Sequence, residues 1–177
     1  MKEIATDIFT FEDLIKSDAL YVDKTAFVAK IVMGKAKSFF LSRPRRFGKS
    51  LLLSTFKAFF QGKKDLFKGL EIERLAPEEW EVFPVIHLDL ASGSSYEGVE
   101  AIEEKIKLQL RDAAISLDVE IESSCPSSML HDLIFFAYQK YHKQVVVLVD
   151  EYDKPILNNI TQPETINLQK VLKGFYS

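Results

Sequence analysis

Apolar positions along the chain switch between helical spacing and short unbroken runs, and the switches predict its elements. "KTAFVAKIVMG" is a helix with Asp23 before it as a cap and Gly34 as its stop. "SFFLS", residues 38–42, is a short apolar run that fits a buried strand. "KSLLLSTFKAFFQG" returns to helical spacing through Leu52, Phe56, Phe59 and Phe60 and ends at Gly62. "DLFKGLEIERLAPEEW" has the look of short helices and turns. "PVIHLDL" is a second buried strand, with Pro84 where a missing N–H is tolerated.

Ser94 and Glu97 then have capping-box spacing. Val99, Ile102, Ile106, Leu110, Ala113 and Leu117 recur at helical intervals, and Leu130, Leu133, Ile134, Ala137 and Tyr141 form another such stripe. "VVVLVDEYD", residues 145–153, is the strongest strand signal. Its apolar run does not alternate, which predicts burial on both faces, as in a parallel sheet covered by helices. A last helix is expected in "PETINLQKVLKGF". Strands alternating with helices predict a three-layer α/β domain with a mostly parallel sheet.

Two segments carry chemistry. "SRPRRFGKSLLL" follows a predicted strand and opens a helix, the setting a phosphate loop needs. Gly48 lets the backbone approach phosphate oxygens. The first helical N–H groups have no intrahelical partner and face that space. Lys49 suits the β- and γ-phosphates, and the Ser50 hydroxyl suits Mg²⁺. Arg43 stands where the usual pattern has a glycine, so a basic, solvated strand-to-helix turn is the alternative. "VVVLVDEYD" puts Asp150 at the carboxyl end of an apolar strand, where open α/β sheets bind ligands. Asp150 would hold the same Mg²⁺ through water, and Glu151 would activate the attacking water. A GKS loop about 100 residues before an apolar strand ending in Asp-Glu is a specific pairing. The candidate nucleotide contacts are Arg45, Arg46, Phe47, Gly48, Lys49, Ser50 and Leu51. Lys49 and Glu151 are the catalytic candidates, and Ser50 and Asp150 the metal ligands.

Composition narrows the classes. The 177 residues suffice for one domain, and 47% hydrophobic with 28% charged residues is ordinary for a globular protein. A net charge of -3 gives no global case for nucleic-acid binding. One cysteine excludes an intrachain disulfide. The amino-terminal acids Glu3, Asp7, Glu12 and Asp13 leave no signal-peptide core, and no run approaches a membrane span, so a cytoplasmic protein is expected.

Several motifs together resemble the AAA-ATPase-like family of P-loop ATPases. They are "YVDKTAFV" (Tyr21 to Val28), "SRPRRFGKSL" (Ser42 to Leu51), "LFKGLEIE" (Leu66 to Glu73), "FPVIHLDL" (Phe83 to Leu90) and "VVVLVDEYDKPI" (Val145 to Ile156). The resemblance covers nearly the whole chain. Arginine in place of the first Walker A glycine is normal for this family. The resemblance implies a P-loop NTPase core of the additional-strand class, ATP and Mg²⁺. It also implies a core cut before its sensor strand, and often a restriction-endonuclease-like domain downstream. Nucleic acid would be a partner only through such a domain. A protein partner or self-association is left open.

Other candidates are weaker. Arg43 and Arg46 lean toward a structural or partner-facing role, and Phe47 toward packing under the loop. Asp89 ends its strand at the same edge as Asp150, with a turn-stabilising role favoured. Tyr21 and Asp23 are weighed as adenine neighbours, Asp23 more as a helix cap. His87, His131 and His142 lack ligand spacing. Cys125 has no paired histidine. Three functions stay in play: an Mg-dependent ATPase, a nucleotide-binding switch with little turnover, and a nucleic-acid accessory resting on the arginine-rich loop. The absence of an Asn-Lys-x-Asp motif favours ATP over GTP.

Overall fold

The structure is a computed structural model that describes residues 3–4, 7–34, 36–42, 44, 47–76, 80–90 and 99–154. The chain divides into two compact units, Met1–Val82 and Phe83–Ser177.

The first unit is helical. It holds α1 (Phe11–Lys16), α2 (Thr25–Val32), α3 (Lys49–Phe60), a 3₁₀ turn at Lys64–Phe67 and the short α4 (Ile72–Leu75). Helix α1 is too short to show in the apolar periodicity, although its local signals are present. Thr10 caps it by accepting from the Asp13 N–H, and Phe11 and Leu14, three apart, are its buried residues. Aromatic rings fill the core. Phe11 lies 4.8 Å from Phe67, while Trp80 lies 4.5 Å from Phe59 and 4.9 Å from Phe67. Such offset and edge-on pairs add to what their burial contributes.

A polar clamp ties two loops of this unit together. One Asp23 oxygen accepts from both the N–H and the hydroxyl of Thr25, and the other accepts from the Glu71 N–H at 2.7 Å. The Thr25 hydroxyl in turn accepts from the Ile72 N–H at 3.0 Å, with both Thr25 and Ile72 fully buried. Asp23 therefore does cap α2, one residue ahead of the N-cap position at Lys24, and it also starts α4. Burial pushes the Asp23 carboxyl up, but the bonds from Thr25 and Glu71 outweigh this and leave it below the usual aspartate range. Its contribution to stability is complete above the ordinary aspartate pKa and is lost as pH falls through the lowered one.

Residues 38–42 differ from expectation. They form no strand, and Phe39 and Leu41 are exposed. A strand needs ladder partners for its backbone, and none of the described residues pairs with this segment.

The second unit is α/β. β1 (Val85–Asp89) pairs in parallel with β2 (Val146–Asp150), and α5 (Val99–Ser116) and α6 (Pro126–Tyr141) lie between them in sequence. Ile86 and Leu88 from β1 pack with Ile106 and Leu110 from α5 and Leu133 and Ala137 from α6. The two predicted helical stripes thus face one core. At the helix ends, the Tyr141 hydroxyl donates to the Leu117 carbonyl at 3.1 Å, and Lys140 donates to the Asp118 carbonyl at 2.6 Å.

The sheet among the described residues has two strands. β2 is less buried than its apolar run predicts, with Leu148 its one buried residue, and among the described residues β1 alone flanks it. The expected capping box at Ser94 and Glu97 and the helix after Pro163 lie outside the described residues.

Thr25→Val should destabilise the chain by about 1–3 kcal/mol, because it leaves the buried Ile72 N–H without an acceptor. Thr25→Ser, which keeps the hydroxyl, should lose less. Urea melts of the two variants measure the difference.

Candidate functional site

The loop half of the candidate site stands in the first unit. Gly48 is the N-cap of α3 with φ 72° and ψ 29°, in the left-handed region. Nothing lies within 4 Å of the place where a Cβ would go. Glycine is therefore called for by the backbone angle and leaves open space above the turn. The first intrahelical bond runs from the Leu52 N–H to the Gly48 carbonyl at 3.0 Å. The N–H groups of Lys49, Ser50 and Leu51 precede it and carry the positive end of the helix dipole. Lys49 is half-buried at the first helical position, and Ser50 is exposed beside it. This end of α3 has the donors an anion needs.

Phe47 was expected under the loop but is 59% exposed. It directly precedes the left-handed glycine. Arg43, Arg45 and Arg46 lie outside the described residues.

The acidic half stands in the second unit. Asp89 and Asp150 are register partners at the carboxyl ends of β1 and β2. Side chains in register on parallel strands share a face of the sheet. Asp150 accepts from the Glu151 N–H at 2.9 Å. Glu151 leaves the strand with φ 50°, a left-handed angle unusual for a side chain of this size. Such strain gathers at functional turns. The Lys154 N–H closes the turn onto the Glu151 carbonyl at 3.0 Å.

Two residues that the pattern reading did not single out complete this corner. Gln109 on α5 accepts from the Asp89 N–H at 2.7 Å and donates to the Asp89 carbonyl at 2.9 Å. Lys105, one turn earlier on α5, is only 8% exposed. Its signal was its place three residues after Ile102 and one before Ile106, inside the apolar stripe.

The remaining candidates are structural. Tyr21 packs edge-on against Phe11 at 5.2 Å, and burial pushes its phenol up. Cys125 is the exposed N-cap of α6, with its Sγ 3.0 Å from Ser128 Oγ and 3.6 Å from Ser127 Oγ. Those hydroxyls lower the thiol to about 7. Among the described residues, no group of three or more acids, histidines or cysteines is placed to hold a metal. No helix among them is long and apolar enough to cross a membrane.

Comparison with known proteins gives the family. The family described as "Predicted AAA-ATPase" matches residues 5–177. The "Uncharacterized protein in vnfD 5'region" of Azotobacter chroococcum mcd 1 is 35% identical over 181 aligned residues, covering 99% of this chain. The chain spans 34% of the length of that relative. No solved structure matches the chain.

Gly48→Ala should cost about 1 kcal/mol through backbone strain, and Gly48→Asn, which tolerates left-handed angles, should recover part of it. Denaturant unfolding of both variants reads this directly. Cys125 should be alkylated with a pH midpoint near 7. Ser128→Ala should move that midpoint upward, measured by iodoacetamide labelling across pH.

Proposed function

Since the chain belongs to the predicted AAA-ATPase family, we propose that it binds Mg·ATP and hydrolyses the β–γ bond. The observation that carries this reading is the left-handed Gly48 opening α3, with Lys49 and Ser50 in its first turn. The acidic pair at the end of β2 supports it. The wider architecture in this reading is a three-layer P-loop core over residues 1–177, in a cytoplasmic protein.

Each residue has a role. The N–H groups of Gly48 to Leu51 cradle phosphate oxygens, and Arg45, Arg46 and Phe47 flank the nucleotide. Lys49 balances the charge that develops on the γ-phosphate. Ser50 and Asp150 are hard oxygen donors of the kind Mg²⁺ prefers, so the donor set fits that ion. When bound, the ion supplies charge neutralisation at the β- and γ-phosphates. Glu151 accepts a proton from water as the water oxygen attacks the γ-phosphorus and the bond to the β-bridging oxygen breaks.

A nucleotide switch with little turnover is the second reading. Binding would then be the signal, passed to a partner or to a following domain.

Lys49→Ala should abolish both ATP binding and turnover. Glu151→Gln should keep binding and lose turnover. Single-turnover hydrolysis beside calorimetric binding separates these effects. Wild-type rates in Glu151→Gln would remove Glu151 as the base, and tight binding with no wild-type turnover would favour the switch.

A further inference from the structure

Lys105 is a buried cation with no role in the reading above. Lysine is almost never buried at 8% exposure unless something holds its charge. It lies four residues before Gln109, so both side chains share one face of α5. Gln109 fixes that face against the end of β1 by gripping Asp89 through both backbone groups. Side chains on a helix lean toward its N-terminus, which carries Lys105 beyond Gln109 and past the backbone grip.

Two charged neighbours act on Lys105 at this corner. Burial pushes the Lys105 ammonium down, the Asp89 carboxylate pulls it back up, and Lys154 pushes it down again. Lys154 lies three residues past Glu151 in the closed turn. Lys105 shares its helix face with Gln109, which bonds the end of β1, and lies within electrostatic reach of Asp89 and Lys154, at the sheet edge where α/β proteins bind ligands. Asp89 and Asp150 are neighbours in register there, and two like charges side by side repel.

We infer that Lys105 is a positioning residue of the proposed Mg·nucleotide site, holding the Asp89 carboxylate beside Asp150 so that two carboxylates face the metal. The inference rests on the nucleotide reading and adds two residues to it. Gln109 sets the backbone of Asp89, and Lys105 sets its side chain. Lys105 also offsets the repulsion between the two acids before the cation arrives. A role in filling space alone would be served as well by methionine, which has a flexible apolar stem of similar length and no charge.

The test compares the full protein with its Lys105→Met, Lys105→Arg and Asp89→Asn variants. ATP affinity is measured by calorimetry with and without Mg²⁺, beside thermal melts. Lys105→Met and Asp89→Asn should each cut the Mg²⁺-dependent gain in ATP affinity by about tenfold, the scale expected for partners that orient a ligand. Affinity without Mg²⁺ should not fall in Asp89→Asn, which removes a negative charge near the phosphates, and Lys105→Arg should restore most of the loss. A wild-type gain in Lys105→Met or Asp89→Asn overturns the inference. So does a loss in which Mg²⁺-free affinity and melting temperature fall together, which marks a structural role. A wild-type protein that binds no ATP overturns the nucleotide reading first, and this inference with it.

Discussion

The parallel pairing of β1 with β2 decides where the acids at the strand tips stand. Five register pairs, Val85 with Val146 through Asp89 with Asp150, place two strand ends level with each other. A slip of one residue would turn every side chain of the slipped strand to the other face. Leu88 and Ile86 would leave the core they share with α5 and α6, so burial holds the register. The same register leaves Asp89 and Asp150 adjacent. Hydrophobic packing on one face thus fixes the chemistry at the strand tips.

In the first unit, the corresponding constraint is polar. Asp23 and Thr25 sit in "YVDKT", and Glu71 and Ile72 sit in "GLEIE", two motifs far apart in sequence. The bonds from Asp23 to the Glu71 N–H and from the Ile72 N–H to Thr25 make them one object. Helix α3 enters the same unit through its far end and middle. Phe56 and Phe59 are buried, and Ser54 accepts from the Phe11 N–H at 2.8 Å. Its first turn is less buried, with Lys49 half-buried and Ser50 exposed. A helix anchored at one end and open at the other suits an anion at its N-terminus.

Much of this was legible in the sequence because periodicity reports burial on a single element. The stripes through Ile102 to Leu117 and Leu130 to Ala137 became α5 and α6 facing one core. "PVIHLDL" became β1. Gly48 was legible as the glycine that lets the backbone approach phosphate oxygens, and its left-handed angle is what the structure adds. The segment at 38–42 was misread because an apolar run reports affinity for a core without naming its pairing partner. Phe47 was misread for a related reason, since hydrophobicity alone does not say whether a loop residue finds a core, and its ring is exposed. Lys105 and Gln109 were invisible because their meaning comes from β1, twenty residues earlier than Gln109. Family resemblance reached further than periodicity, and the match over residues 5–177 bears it out.

The grip of Gln109 on Asp89 also limits how the sheet can grow. The Leu90 N–H and the Pro84 carbonyl point toward β2, bonding Asp150 and Val146, so alternate residues of β1 direct their backbone groups the opposite way. At Asp89 both of those outward groups are taken by one side-chain amide, which imitates the backbone of a neighbouring strand. A bare strand edge invites pairing with another chain. Here a helix closes the carboxyl tip of that edge with one glutamine. Any strand added level with the acidic tips must therefore join on the side of β2, which makes β1 the boundary of the sheet at that end.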